Sequence, residues 1–366
     1  MIKVNYIVRL DNLCVYIFWG VLMIGKGLGL TSEYQEFQYI TLFAFPFAAI
    51  KIIRTPWTRE ELFRSIFLGV TGIAVWIFSK NTDVLIAAVV IIACKNIDIY
   101  KLFKLAFGIR ATLFFTRTSL AILGYLDLEY APRWYAGGHD VRYALGYAQP
   151  NTTHYELFVI TVLALLLWHN QMRLLHYLCL FGYNFFIFRY TDSKTGVVLI
   201  AVTLALVYLT DRKPGILLEK PMRYIGKYAY ITGALFSLIG CILYRKWSAF
   251  RMFGTFSSRF QTGLWIIRNR PLLLFGARGV KTDLGMIDIL YGRGIIVFIV
   301  FLVAMTALMK RFSQKKMYTE EIIGIIYAVY TMMESYTTSI LMNIMLLFMV
   351  WICYPASKNA WYKNCR

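Results

Sequence analysis

Long apolar runs alternate with short polar stretches rich in Lys, Arg, Asn and Gly along almost the whole chain. A helix needs about twenty mostly apolar residues to cross a bilayer. By that measure the pattern predicts spans near 10–30, 36–53, 63–79, 82–96, 104–124, 154–170, 174–190, 195–210, 228–244, 285–309, 319–336 and 339–355. Glu334, Ser335, Thr337 and Thr338 part the last two, a polar turn inside a run too long for one crossing. The predicted fold class is all-α: a polytopic transmembrane helical bundle of about 12 helices, forming a single integral membrane domain over residues 1–366. Two longer connections, 125–153 and 245–284, interrupt the regular spacing.

Composition agrees with this pattern. At 59% hydrophobic and only 16% charged residues, the chain has more apolar surface than a water-soluble core of its length could hide. Many Phe, Tyr and Trp residues flank the apolar runs, where amphipathic rings favour the headgroup layer. The net charge of +20 would suit a nucleic-acid partner if the basic residues formed one stripe. They are scattered between runs instead, so no nucleic-acid partner is expected and the charge sets membrane orientation. Five cysteines lie in or beside apolar runs and Cys365 lies in the tail, without the paired spacing of a zinc or redox site. The chain enters its first apolar run after Asp11 with no small-residue cleavage site, so the first helix is expected to stay in place.

Alternate connections collect Arg54, Arg59, Arg64, Lys95, Lys101, Lys104, Arg173, Arg212, Lys213, Lys220, Arg223, Lys227, Lys310, Arg311, Lys315 and Lys316 on one face, together with both termini. That face is read as cytoplasmic, which sends 125–153, 245–284 and the Thr191–Lys194 turn to the outer face. Lys26, Arg110 and Arg117 are the few cations expected inside helices, and no inverted repeat relates the two halves.

The second outer loop breaks the usual charge bias. It carries Arg245, Lys246, Arg251, Arg259, Arg268, Arg270, Arg278 and Lys281, with no acid until Asp283. Either these residues form a solvated basic loop beside anionic headgroups, or they form an anion site, since the planar guanidinium fork suits phosphate. Trp247, Phe250, Phe253, Phe256, Phe260 and Trp265 suit a loop lying in the interface and folding back over the bundle. The first loop adds Arg133, Arg142, His139, Asp140 and His154 around Gly146–Asn151, where Pro150 restrains a helix start and Asn151 or Thr152 can cap it.

In order and loop position, several segments resemble the O-antigen ligase and Wzy-type polysaccharide polymerase family of bacterial membrane glycosyltransferases. Gly146-Tyr147-Ala148-Gln149-Pro150-Asn151 is similar to its Gly-aromatic-x-x-Pro-Asn segment, and Ser193-Lys194-Thr195-Gly196 to its Ser-Arg-Thr-Gly helix start, with Lys for Arg. Ser258-Arg259, Trp265 and Phe275-Gly276-Ala277-Arg278-Gly279 resemble its Ser-Gly-Arg, Trp and Phe-Gly-x-Gly segments, with Ser258 where a Gly often stands. Asp283-Leu284 and the later Gly294 are similar in spacing to its His-Asn or Asp-Asn pair and following Gly, with Leu for Asn.

The resemblance implies a GT-C-like bundle in the plasma (inner) membrane and transfer of a glycan from undecaprenyl diphosphate at the outer face. Its partners would be the undecaprenyl-diphosphate-linked oligosaccharide, membrane lipids, a flippase and a chain-length regulator. Neither metal nor cofactor is implied, and no carboxylate cluster suggests one. Arg259 and Arg278 are the expected diphosphate groups, supported by Lys194 and Arg142. Asp283 is the expected base, with His154 or His139 as alternatives, because imidazole titrates near neutral pH. Glu334 is expected to hold a basic side chain or a sugar hydroxyl, or to be an ordinary turn acid. The resemblance leaves polymerase and ligase open, and a lipid-linked oligosaccharide flippase or transporter is the rival from another class.

Overall fold

The structure, a computed structural model, describes residues 2–32, 34–128, 130–135, 138–212, 219–244 and 255–355, and side chains among these outside 2–9, 130–135, 138–140, 219–223 and 255–257. Most of it is helical. Among the described residues eight helices are long and apolar enough to cross a membrane, fewer than the pattern predicted. The chain divides into two compact units, each threaded by two stretches of sequence: Met1–Lys51 with Asp98–Leu217, and Ile52–Ile97 with Leu218–Arg366.

In the first unit the Pro150–Trp168 helix has no solvated face: it is buried along almost its whole length, and its polar side chains His154 and Glu156 are paired inside the bundle. A helix without a polar face belongs inside a bundle. Ile99–Ile122, Leu174–Thr191 and Lys194–Arg212 pack around it, and Ile2–Gly27 packs on Ile99–Ile122, where Trp19 Nε1 donates to the Leu102 carbonyl at 3.1 Å. Pro150 opens the central helix at a position where a missing N–H costs nothing. The first long connection is no plain loop. It carries an antiparallel hairpin, Tyr130–Tyr135 with Gly138–Tyr143, in which Arg133 pairs with Asp140 and Trp134 with His139.

In the second unit Glu219–Tyr244 is flanked by Ile295–Gln314, Tyr318–Thr331 and Thr255–Asn269, while Arg59–Ser79 packs on Asp83–Ala93. A capping box, Thr58 with Glu61, starts the Arg59–Ser79 helix. The Thr255–Asn269 helix stands where the sequence predicts a loop. Its apolar stripe seats Phe260 and Ile266 against Cys241, Leu284, Ile287 and Tyr291. Close approach comes from Gly240 and Gly263, since a Cβ on the first would overlap the Phe260 ring and on the second would meet Cys241 Sγ at 2.5 Å.

Five predicted spans are corrected, two of them, 174–190 and 319–336, because Leu174–Thr191, carrying His176, Asn184 and Arg189, is not among the eight and Tyr318–Thr331 has only 14 residues. The run near 82–96 yields an 11-residue helix, Asp83–Ala93, which at about 1.5 Å per residue is too short to cross a bilayer alone. The run near 285–309 is broken: Gly285–Ile287 leads into a π-helical segment, Asp288–Arg293, and the regular Ile295–Gln314 helix begins only after Gly294, whose φ is 99°. The final run, 339–355, is short 3-10 turns and a five-residue helix, Met349–Cys353, almost wholly buried. Hydropathy reports burial, and protein can bury an irregular apolar segment as completely as lipid can bury a helix.

Candidate functional site

The Thr255–Asn269 helix presents Arg259 on the side of its buried stripe, so the guanidinium is almost out of water. Three groups meet it. Nη1 donates to the Met333 carbonyl at 2.6 Å, Nη2 donates to Glu334 Oε1, and Nε lies 3.8 Å from Asp283 Oδ2. Burial works against the Arg259 charge, and Glu334, with smaller help from Asp283 and Tyr336, outweighs it. Glu334 stands beyond the end of the Tyr318–Thr331 helix, in the turn before the Ser335–Thr338 3-10 segment. Its carboxyl is pushed up to about 7 by burial, against the pull of Arg259. The two carboxylates differ in access: the Glu334 side chain is 6% exposed and that of Asp283 66%.

Asp283 is held near Arg259 by the segment that caps the broken helix. Ile295 and Ile296 donate their backbone N–H groups to the Leu273 and Leu274 carbonyls, and Ala277 N–H donates to Tyr291. This clamp explains the glycines of Phe275–Gly279. Gly276 has φ 82° and lies so close to Gly292 that a Cβ would overlap its carbonyl, while a Cβ on Gly294 would overlap Leu274. Phe275 stacks on Phe78 at 5.7 Å, and the exposed Arg278 donates through Nε to the Phe78 carbonyl at 3.3 Å. The clamp thus uses the motif for backbone contact and directs Arg278 to a different partner from Arg259.

Inside the same unit a further buried cation, Arg293, sits in the π-helical segment. It donates to the Thr338 carbonyl at 2.8 Å and to its hydroxyl, and pairs with Asp83 at 3.2 Å and Asp288 at 3.3 Å. The sequence reading missed this network. Its signal was the Asp288–Arg293 spacing of five inside an apolar run, which aligns on a π turn and not on an α-helix.

The first unit gathers a second set of candidates. His154, fully buried near the start of Pro150–Trp168, places Nε2 2.7 Å from Asn184 Oδ1 and Nδ1 2.9 Å from Thr191 Oγ1. Asn184 donates its amide to the Val197 carbonyl at 3.0 Å, which fixes its oxygen toward the ring and makes His154 Nε2 the donor. Gly196 lies against the ring, and a Cβ there would come within 2.5 Å of His154 Cδ2. Arg142 donates through Nε to the Thr191 carbonyl and through Nη2 to Asn151 Oδ1, both at 2.7 Å. The exposed Lys194 opens the next helix two residues after the αL residue Asp192. Asn151 therefore binds Arg142 and does not cap the helix: it and Thr152 lie within the first turn, and the N-cap is Gln149, with no side-chain cap.

Of the predicted site residues, the structure joins Arg259, Asp283 and Glu334, and separately joins His154 and Arg142 through Thr191. His154 has both ring nitrogens engaged by protein groups and no open surface, so it positions neighbours and is not shaped to take a substrate proton. The side chain of His139, with those of Arg133 and Asp140, and the residues Arg245, Lys246 and Arg251 lie outside the described residues. Among the described residues no group of three His, Cys, Asp or Glu side chains is arranged to hold a metal ion. No protein-family model matches the chain, and neither curated proteins nor solved structures give a match.

Proposed function

We propose that this protein is a membrane glycosyltransferase of the polysaccharide polymerase type, serving O-antigen, capsule or exopolysaccharide synthesis. It moves a growing glycan from undecaprenyl diphosphate onto a lipid-linked repeat unit at the outer face of the inner membrane, without metal or cofactor. The observation that carries this reading is the Arg259 site: a guanidinium nearly removed from water with an exposed carboxylate, Asp283, on its accessible side.

Bilayer insertion is supported by faces that water would not solvate. Ile53 is 82% exposed and Phe63 73% exposed, each on a helix long and apolar enough to span. With both termini cytoplasmic, as the flanking basic residues favour, Arg259 and Asp283 reach the outer face. There the bond between the sugar anomeric carbon and the diphosphate oxygen breaks, and a new bond forms to the acceptor hydroxyl oxygen. Arg259 opposes the charge gathering on the departing diphosphate, most effectively where water is scarce. Asp283 takes the acceptor proton and releases it to solvent. Arg278, exposed on the same unit as Arg259, is assigned to the rim of this site.

The test is purified protein given the lipid-linked repeat as sole substrate. A ladder of lengthening glycans is expected, absent in a folded Arg259→Ala variant; no ladder with authentic substrate overturns the polymerase reading. A ligase would instead need a different acceptor. The deeply buried Arg110–Glu156 pair favours a flippase, since transporters keep ionisable groups within the bundle. Vesicles containing the protein that move lipid-linked oligosaccharide across the bilayer without lengthening it would support that alternative.

A further inference from the structure

One cation, Arg259, faces two carboxylates, Glu334 and Asp283. With all three ionised the cluster carries a net negative charge, and a diphosphate diester brings two more. In a site this dry such repulsion is strong. Asp283 is exposed and can swing into water. Glu334 cannot: its backbone N–H is tied to the Tyr330 carbonyl at 2.9 Å, its carbonyl accepts from Thr337 Oγ1 at 2.7 Å, and Gly285 packs directly against that carbonyl.

We propose that Glu334 gates Arg259: the guanidinium accepts a diphosphate only as Glu334 takes up one proton from solvent, so anion binding and proton uptake are a single coupled event. This rests on the assignment of Arg259 to the diphosphate.

The charged and titratable groups around Glu334 fit the gate. Arg259 faces it from the Thr255–Asn269 helix, Asp283 from the segment before Gly285, and Tyr330 and Tyr336 from either side in sequence. Asp288 and Arg293, on the π-helical segment, are directed to Thr338 at the far end of the same turn. Burial places the Glu334 carboxyl at about 7, with Arg259 opposing the rise and Asp283 adding to it, so the proton is exchangeable near neutral pH. Protonated Glu334 remains a hydrogen-bonding group but no longer cancels the Arg259 charge.

The experiment is calorimetric titration of the full-length protein in lipid nanodiscs with dibutyl diphosphate, a diester whose own charge is constant across the neutral range. Expected for the unaltered protein is an affinity that is steady below about pH 7 and falls about tenfold per pH unit above it, as coupling to one proton requires. Glu334→Gln should bind with no pH dependence. Asp283→Asn should bind more tightly and keep the slope, which preserves the test if the Glu334 variant fails to fold. A flat profile in the unaltered protein, or a slope retained in Glu334→Gln, overturns the gate while binding through Arg259 stands. Diphosphate binding undiminished in Arg259→Ala overturns the gate together with the diphosphate assignment beneath it.

Discussion

Arg110 and Glu156 meet as a two-pronged ion pair with no exposed surface, Arg110 Nε donating to Glu156 Oε1 at 2.6 Å and Nη2 to Oε2. The pair joins Ile99–Ile122 to the central Pro150–Trp168 helix. Removing one partner strands a buried charge, and Arg110→Ala or Glu156→Ala is expected to cost roughly 3–5 kcal/mol. Replacing both with leucine should recover most of the loss, because no lone charge remains. Thermal unfolding of the three variants in detergent measures the difference.

The contact between Gly196 and the His154 ring makes a sharp steric prediction. Gly196→Ala forces a methyl into the ring and should cost about 1–3 kcal/mol, whereas Lys194→Ala, at an exposed position of the same helix, should leave unfolding temperature nearly unchanged. His154→Leu is expected to cost a similar amount by leaving the Asn184 oxygen without its donor.

Two glycines of the Phe275–Gly279 segment should respond unequally. Both have positive φ, 82° at Gly276 and 67° at Gly279. An alanine at Gly279 meets only the end of the Arg270 side chain at 3.8 Å, so its cost is about 1–2 kcal/mol of backbone strain. At Gly276 the added methyl also collides with the Gly292 carbonyl, and that variant should fail to accumulate. Expression level and monodispersity on size exclusion separate the two.

The proposed role of Asp283 as the base has its own signature. Asp283→Asn keeps the shape of the exposed side chain but removes the proton acceptor, and polymerisation should slow by ~10²–10⁴-fold with lipid-linked substrate still bound. A variant that elongates glycan at the normal rate would remove Asp283 from the reaction. Single-turnover assays make the distinction.

Stability should also report Glu334. Its carboxyl lies near 7 in the fold, against an ordinary value of 4.5. Between those values the unfolded chain releases a proton that the folded protein retains, so unfolding becomes easier as pH rises from about 4.5 to about 7. The contribution is fully present below the lower value and spent above the upper one. Denaturant or thermal scans across this window should show the decline, and Glu334→Gln should lack its share of it.

Much of the helical framework was legible in the chain because apolar run length reports helices directly, and Pro150 and the Thr58–Glu61 capping box mark starts by local chemistry alone. Glu334 was legible as an acid at a turn, with a basic side chain among the partners open to it, and Asp283 as the acid closing a basic loop. The identity of the base that Glu334 holds was not. Arg259 is 75 residues away, and periodicity carries no information about which distant side chains meet.

Tertiary structure alone decided the breaks and the pairings. Hydropathy cannot separate a run that faces lipid from one enclosed by protein, so 285–309 and 339–355 read as spans although one contains a π segment and the other little regular helix. His154 read equally as an alternative base or as a helix-entry residue, and only Asn184 and Thr191, from a neighbouring helix, show both its nitrogens enclosed. Local sequence determines where backbone hydrogen bonds close into helices. Which charges neutralise one another, and which remain within reach of a ligand, depends on packing between residues far apart in the chain.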